Sequence, residues 1–168
     1  MHFSLAVFHY PDEDVESLLA PFDENNTERR ILFSRREGIN FARSNLGCKG
    51  ASDEECWKAA AKYFGDSDKD GNIYETTNPD ARWDWWEEGG RWEGLLKVGS
   101  ERVNSARVKD IDFDSKPFTT FAVLTPDGEW EEQDVYWGTD PNWEKHYKER
   151  FIDTAGPDMI LTIVDCHI

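Results

Sequence analysis

Two short apolar runs at opposite ends of the chain constrain this sequence more than anything between them. His2-Phe3-Ser4-Leu5-Ala6-Val7-Phe8-His9 is rich in aromatic and apolar residues and too short for a buried helix, so it predicts a strand. Met159 to Ile168 is almost continuously apolar, the pattern of a central strand. A strand at each end ties both termini into one sheet.

Between them, Pro11-Asp12-Glu13-Asp14 opens a helix whose buried stripe is Val15, Leu18, Leu19 and Phe22, ended near Pro21. Arg30 to Phe33 predicts a second strand. Ser34 with Glu37, and Ser52 with Glu55, have capping-box spacing and start two helices. The first buries Ile39, Ala42 and Leu46 and stops at Gly47; the second buries Trp57, Ala60, Ala61 and Phe64 and stops at Gly65. Residues 66–114 are irregular, with turn residues, clustered Trp and one or two short strands expected. Phe118 to Leu124 and Glu129 to Val135 form a hairpin around Pro126-Asp127-Gly128. Asp140-Pro141 opens a last helix with Trp143, Tyr147 and Phe151 on one face. The expectation is one α+β domain over 1–168: a mostly antiparallel sheet, helices largely on one face, and a Trp-rich irregular insertion in the middle.

The chain has 168 residues, enough for a real core, and its 35 acids against 19 Lys and Arg give a formal net charge of −16. Eight Trp, ten Phe and five Tyr argue against a disordered acidic tail. Apolar runs are too short for a membrane span and the start lacks a basic-then-apolar signal, so a cytoplasmic protein is expected. Duplex nucleic acid and anionic membranes would repel such a polyanion. Cys48, Cys56 and Cys166 have no metal-like spacing and read as reduced thiols.

Three constellations carry candidate chemistry. Asp66, Asp68, Asp70 and Asn72 match the front of a calcium loop, with Gly71 at its sixth position, but Thr77 stands where a bidentate Glu is needed. The alternative is an Asp-Gly turn closing a hairpin. At the C-terminus, Asp165 and His167 share one strand face while Cys166 points to the other, which excludes a Cys-His nucleophilic pair. Asp165 and His167 can join His2 or His9 from a neighbouring strand as a metal or acid–base cluster, or simply close a polar strand end.

The third is Asn78-Pro79-Asp80-Ala81-Arg82-Trp83-Asp84-Trp85-Trp86-Glu87-Glu88-Gly89-Gly90-Arg91-Trp92. Trp and Arg favour binding surfaces, yet in a chain poor in aliphatics at least two of the four Trp are expected in the core. Gly89-Gly90 reads as a backbone need rather than a phosphate loop. This run, with the closing Leu161-Thr162-Ile163-Val164-Asp165-Cys166-His167-Ile168, the opening strand and Lys109-Asp110-Ile111-Asp112-Phe113, resembles a family of uncharacterised phage and prophage proteins. Trp86 stands where that family usually has Tyr. The resemblance implies a small phage accessory protein and brings no catalytic residues. No nucleotide-binding, zinc-protease or serine-hydrolase fingerprint is present, and no cofactor is expected.

Charge is uneven. Residues 110–168 hold 14 acids and 4 bases, whereas residues 27–50 hold 2 acids and 6 bases, around Arg29, Arg30, Arg35, Arg36 and Arg43. The favoured expectation is therefore a binding protein rather than an enzyme: a nucleic-acid-mimicking inhibitor of a host or defence protein. Its contacts would be Glu129, Glu131, Glu132 and Asp134 with Arg82, Trp83, Asp84, Trp85, Trp86, Arg91 and Trp92. A pocket beside the Trp-rich loop for a nucleotide or other small anionic metabolite, bound or hydrolysed, is the alternative. A virion or scaffold component is the third.

Overall fold

The structure, a computed structural model, describes residues 1–133 and 142–168. Asp134, the last residues of the expected hairpin and the Asp140-Pro141 helix start lie outside the described residues.

In chain order, β1 (His2–His9), α1 (Val15–Leu19) and a 3₁₀ turn (Ala20–Phe22) come first. They are followed by β2 (Glu28–Phe33), α2 (Arg35–Asn45), α3 (Asp53–Phe64) and β3 (Ile73–Thr77). Next are β4 (Trp85–Glu88), a 3₁₀ turn (Gly90–Trp92), β5 (Leu96–Val98), β6 (Glu101–Val103) and β7 (Ser105–Arg107). β8 (Ala122–Leu124), β9 (Trp130–Glu132), α4 (Trp143–Tyr147) continuing as a π turn (Lys148–Ile152), and β10 (Ile160–His167) complete an α+β fold. The irregular middle thus contributes five short strands rather than one or two. Strands of three to five residues leave no readable period, and backbone pairing alone defines them.

The chain divides into two compact units, Met1–Asp23 with Asp80–Ile168, and Glu24–Pro79. In the first, six strands form one sheet in the order β4-β10-β1-β8-β9, with β7 sharing the outer edge of β10 with β4. β1 runs antiparallel to β10 over its whole length and parallel to β8. The terminal runs are therefore adjacent central strands, and each buries both faces. Ala6, Phe8, Leu161 and Ile163 pack with Trp143, Tyr147 and Phe151 on one side; Leu5, Val7, Val164 and Cys166 pack with Leu19, Phe22 and Trp83 on the other. Cover is two-sided, α4 on one face and α1 on the other, because consecutive residues of both strands are apolar and point to opposite faces.

The second unit packs α2, α3 and the β2–β3 ribbon around Ile39, Ala42, Cys56, Ala60 and Ile73. Both expected capping boxes are present, from Ser34–Glu37 and Ser52–Glu55, and Gly65 ends α3 with φ +83°. Cys56, rather than Trp57, is the fully buried residue of the first α3 turn. Four of the five arginines of the base-rich 27–50 stretch are ion-paired here: Arg29 with Asp66, Arg30 with Glu75, Arg35 with Glu54, and Arg43 with Asp53. This unit holds 10 acids and 9 bases, so the acidic excess belongs to the other, with 25 acids and 10 bases.

Candidate active site

Antiparallel pairing places directly opposed residues on the same face of a sheet. His2 lies opposite His167, Ser4 opposite Asp165, and on the other side of β10, Trp85 is opposite His167. One end of the α4-covered face thereby turns from apolar to polar, and its imidazoles and carboxylates come together.

Asp165 is the anchor, with only 1% of its surface exposed. Its Oδ1 accepts from His2 Nδ1 at 2.8 Å and its Oδ2 from the Arg91 backbone N–H at 3.0 Å. Both carboxylate oxygens are therefore engaged, as a buried charge requires. That arrangement needs the 89–92 backbone very close to β10. Gly90 has φ +49°, and a Cβ there would sit 2.4 Å from the Asp165 Cβ; Gly89 has φ +73°, with Asn104 equally near. The glycine pair serves a backbone need, a close approach at positive φ.

The second imidazole is built the same way. His167 Nδ1 donates to Asp84 Oδ1 at 2.7 Å, and the Asp84 N–H donates to the His167 carbonyl at 2.9 Å. The His2 and His167 rings stand 4.9 Å apart at 67°, and the half-exposed Trp85 indole lies edge-on to His2 at 5.8 Å. Side-chain exposure is 24% for His2 and 38% for His167, and neither Nε2 has a protein partner among the described residues. A carboxylate on Nδ1 makes that nitrogen the donor and leaves a lone pair on Nε2. Two such imidazoles side by side can accept and deliver protons at one small substrate.

The two segments that stood out in the sequence thus meet: the Trp-rich run supplies Asp84, Trp85, Gly90 and Arg91, and the closing strand supplies Asp165 and His167. His9, the other candidate partner, is buried elsewhere, between the Tyr10 carbonyl and Thr162. Cys166 points to the opposite face, and burial pushes its thiol up to about 12, which makes it inert. Unread in the sequence were the Arg91 N–H as a ligand of Asp165 and the pairing of Asp84 with His167; no local spacing announces either.

The remaining candidates are dispersed. Trp83 is core, its Nε1–H donating to the Leu19 carbonyl at 3.1 Å, while Trp86 and Trp92 pack against opposite core clusters. Arg82 donates to the Ala81 carbonyl and lies 4.0 Å from Glu132. Glu131 pairs with Arg150, and Glu132 accepts from the Trp130 indole, so two of the hairpin carboxylates are engaged within the molecule; Glu129 is exposed. In the Asp66–Asn72 segment, Asp68 accepts from the Asp70 and Asn72 N–H groups, the Asn72 amide and the Tyr74 hydroxyl, while Asp66 is held by Arg29. These oxygens close an Asx-type turn at the hairpin. Among the described residues, no group of three or more His, Cys, Asp and Glu side chains is placed to hold a metal ion. No helix among them is long and apolar enough to cross a membrane.

Fold and site together define an α+β protein with a paired histidine–aspartate cluster on the end of its central strands. Comparison with protein families, curated proteins and solved structures finds no match to this chain.

Proposed function

We propose that the protein is an acid–base catalyst acting on a nucleotide or another small anionic metabolite at the His2–His167 pair. The observation that carries this reading is the convergence of two solvent-reachable imidazoles, each oriented by its own carboxylate and each with an Nε2 that has no protein partner among the described residues. One Nε2 takes a proton from a water as its oxygen bonds to the electrophilic centre. The other imidazole, starting protonated, gives its proton to the oxygen that leaves as that bond breaks. The two rings exchange protonation states, so the proton count balances. Each transfer contributes roughly 10²–10⁴-fold. Trp85 places a half-exposed indole beside His2, and Arg91, whose N–H holds Asp165, is an exposed residue. The acidic excess of the unit does not forbid an anion here, since charges beyond about 8–10 Å are screened at physiological salt. Incubation with a panel of linear and cyclic nucleotides, followed by phosphorus NMR, tests the reading. Turnover that disappears in His2→Gln and in His167→Gln, with circular dichroism unchanged, supports it. No turnover of any panel member, or turnover indifferent to both substitutions, overturns it.

The concentration of 25 acids against 10 bases in one unit favours a second reading. Here a small phage-type accessory protein presents carboxylates to the nucleic-acid channel of a host or defence protein. Charge reversal at Glu129, Glu131 and Glu132 then abolishes capture of a nucleic-acid-binding partner at low salt, and capture that survives reversal counts against it.

A further inference from the structure

The two histidine–aspartate pairs have the same hydrogen bond but not the same surroundings, and the difference fixes their chemistry. This inference rests on the acid–base reading of the site and deepens it. Asp165 is buried with both oxygens used, one by His2 Nδ1 and the other by the Arg91 backbone N–H. Asp84 has a third of its side chain exposed and a single side-chain partner, His167, among the described residues.

We propose that Asp165 is a positioning residue that transmits the Arg91 backbone N–H to His2, locking its neutral ring as the Nδ1–H form with Nε2 the proton acceptor, whereas Asp84 leaves His167 adjustable. The logic is a donor–acceptor count. A backbone N–H can only donate, so whatever atom faces Arg91 must be an acceptor. In Asp165 both oxygens qualify, and the second oxygen is left to accept from Nδ1–H. Gly90 brings the backbone close to this carboxylate: a Cβ there would stand 2.4 Å from the Asp165 Cβ and 2.6 Å from its Oδ2.

The isosteric change Asp165→Asn exposes the lock. The amide has one oxygen, and the Arg91 N–H claims it, because two donors facing each other at a buried site is the costlier alternative. The amide NH₂ then points at His2 Nδ1 and forces that nitrogen to accept. The neutral ring's proton moves to Nε2, and the base is lost. Asp84→Asn has no such constraint: its amide can turn its oxygen to His167 and preserve the original form.

Long-range ¹H–¹⁵N correlation spectra of the histidine rings, on the full chain labelled with ¹⁵N, read the two forms directly. Wild-type His2 is expected as Nδ1–H when neutral. In Asp165→Asn it becomes Nε2–H while His167 does not change; in Asp84→Asn both rings keep the Nδ1–H form. If the protein turns over a nucleotide, Asp165→Asn lowers turnover by about 10³–10⁴-fold, the scale of a wrong-tautomer base. A neutral wild-type His2 carrying its proton on Nε2 overturns the proposal without any variant needing to fold. So does His2 remaining Nδ1–H in Asp165→Asn, or His167 switching in Asp84→Asn. The spectra need no substrate. Absence of turnover would therefore sink the catalytic reading alone, and a wrong tautomer this one alone.

Discussion

In the unit spanning 24–79, the helix caps and the Asp68 turn are satisfied a few residues away, Ser34 with Glu37, Ser52 with Glu55 and Asp68 with Asn72, and the longer-range pairs, such as Arg29 with Asp66, lie at the surface. At the polar end of the six-stranded sheet the partners are far apart in sequence. Asp165 reaches His2 across 163 residues and Arg91 across 74, and His167 reaches Asp84 across 83. The first region is also charge-balanced, and its ion pairs are exposed, where water and salt screen them. The second buries a carboxylate outright. Local satisfaction is inexpensive and carries little chemistry. Long-range satisfaction of a buried charge is obtained only after the sheet has formed, and it leaves two imidazoles in a fixed geometry.

If that contrast holds, the largest effect comes from opening the buried cluster. Gly90→Ala puts a Cβ 2.4 Å from the Asp165 Cβ at φ +49°, so the carboxylate must move off the Arg91 N–H or off His2. Uncoupling a buried charge from its partners costs about 3–5 kcal/mol. Hydrogen exchange resolved along the chain should show β1 and β10 amides losing protection, since both strands contribute to the cluster. Unchanged protection in those strands would mean that the close approach is not what holds Asp165.

Removing a local cap in the other region should do much less. Ser52→Ala deletes the side chain that accepts from the Glu55 N–H and pairs with the Glu55 carboxylate at the start of α3. The expected loss is about 1 kcal/mol, measured by urea titration, with lost amide protection confined to the first turns of α3. A loss as large as that of Gly90→Ala, or spread across the sheet, would erase the distinction between the two regions.

What could be read in the sequence divides along the same line. Capping boxes, the Gly65 stop, the α1 stripe and the terminal strands depend on residues close in sequence, and all are present. The Trp-rich run, expected to send at least two of its four Trp into the core, is distributed: Trp83 to one core cluster, Trp92 to the other, Trp85 to the histidines. Alternation along the last strand put Asp165 and His167 on one face, and a histidine of the first strand was a reasonable partner. Which histidine, and which carboxylate for His167, depended on strand register, and register is set by pairings that no local spacing encodes. The base-rich stretch at 27–50 shows the opposite case. Its residues are adjacent in sequence, but their acidic partners come from α3 and the β3 hairpin.

The smallest effect is a pH dependence carried by one carboxylate of the local region. Hydrogen bonds from the Asn72 amide, the Tyr74 hydroxyl and the Asn72 and Asp70 backbone N–H groups hold the Asp68 carboxyl at about 2, below its ordinary 3.8. A carboxyl depressed on folding stabilises the folded state above its unfolded value, and that contribution is lost as pH falls from about 4 toward 2. The Trp57 indole donates to the Gly71 carbonyl of the same turn at 2.9 Å, so acid opening should move its fluorescence. Asp68→Asn cannot titrate, and its acid titration should be flatter than wild type between pH 4 and 2, with the two converging at the acid end. The effect is modest because this carboxylate is only half-withdrawn from water. Parallel titrations through that window would show that Asp68 does not hold the turn, and that the satisfaction of polar groups in this unit rests on its helix caps instead.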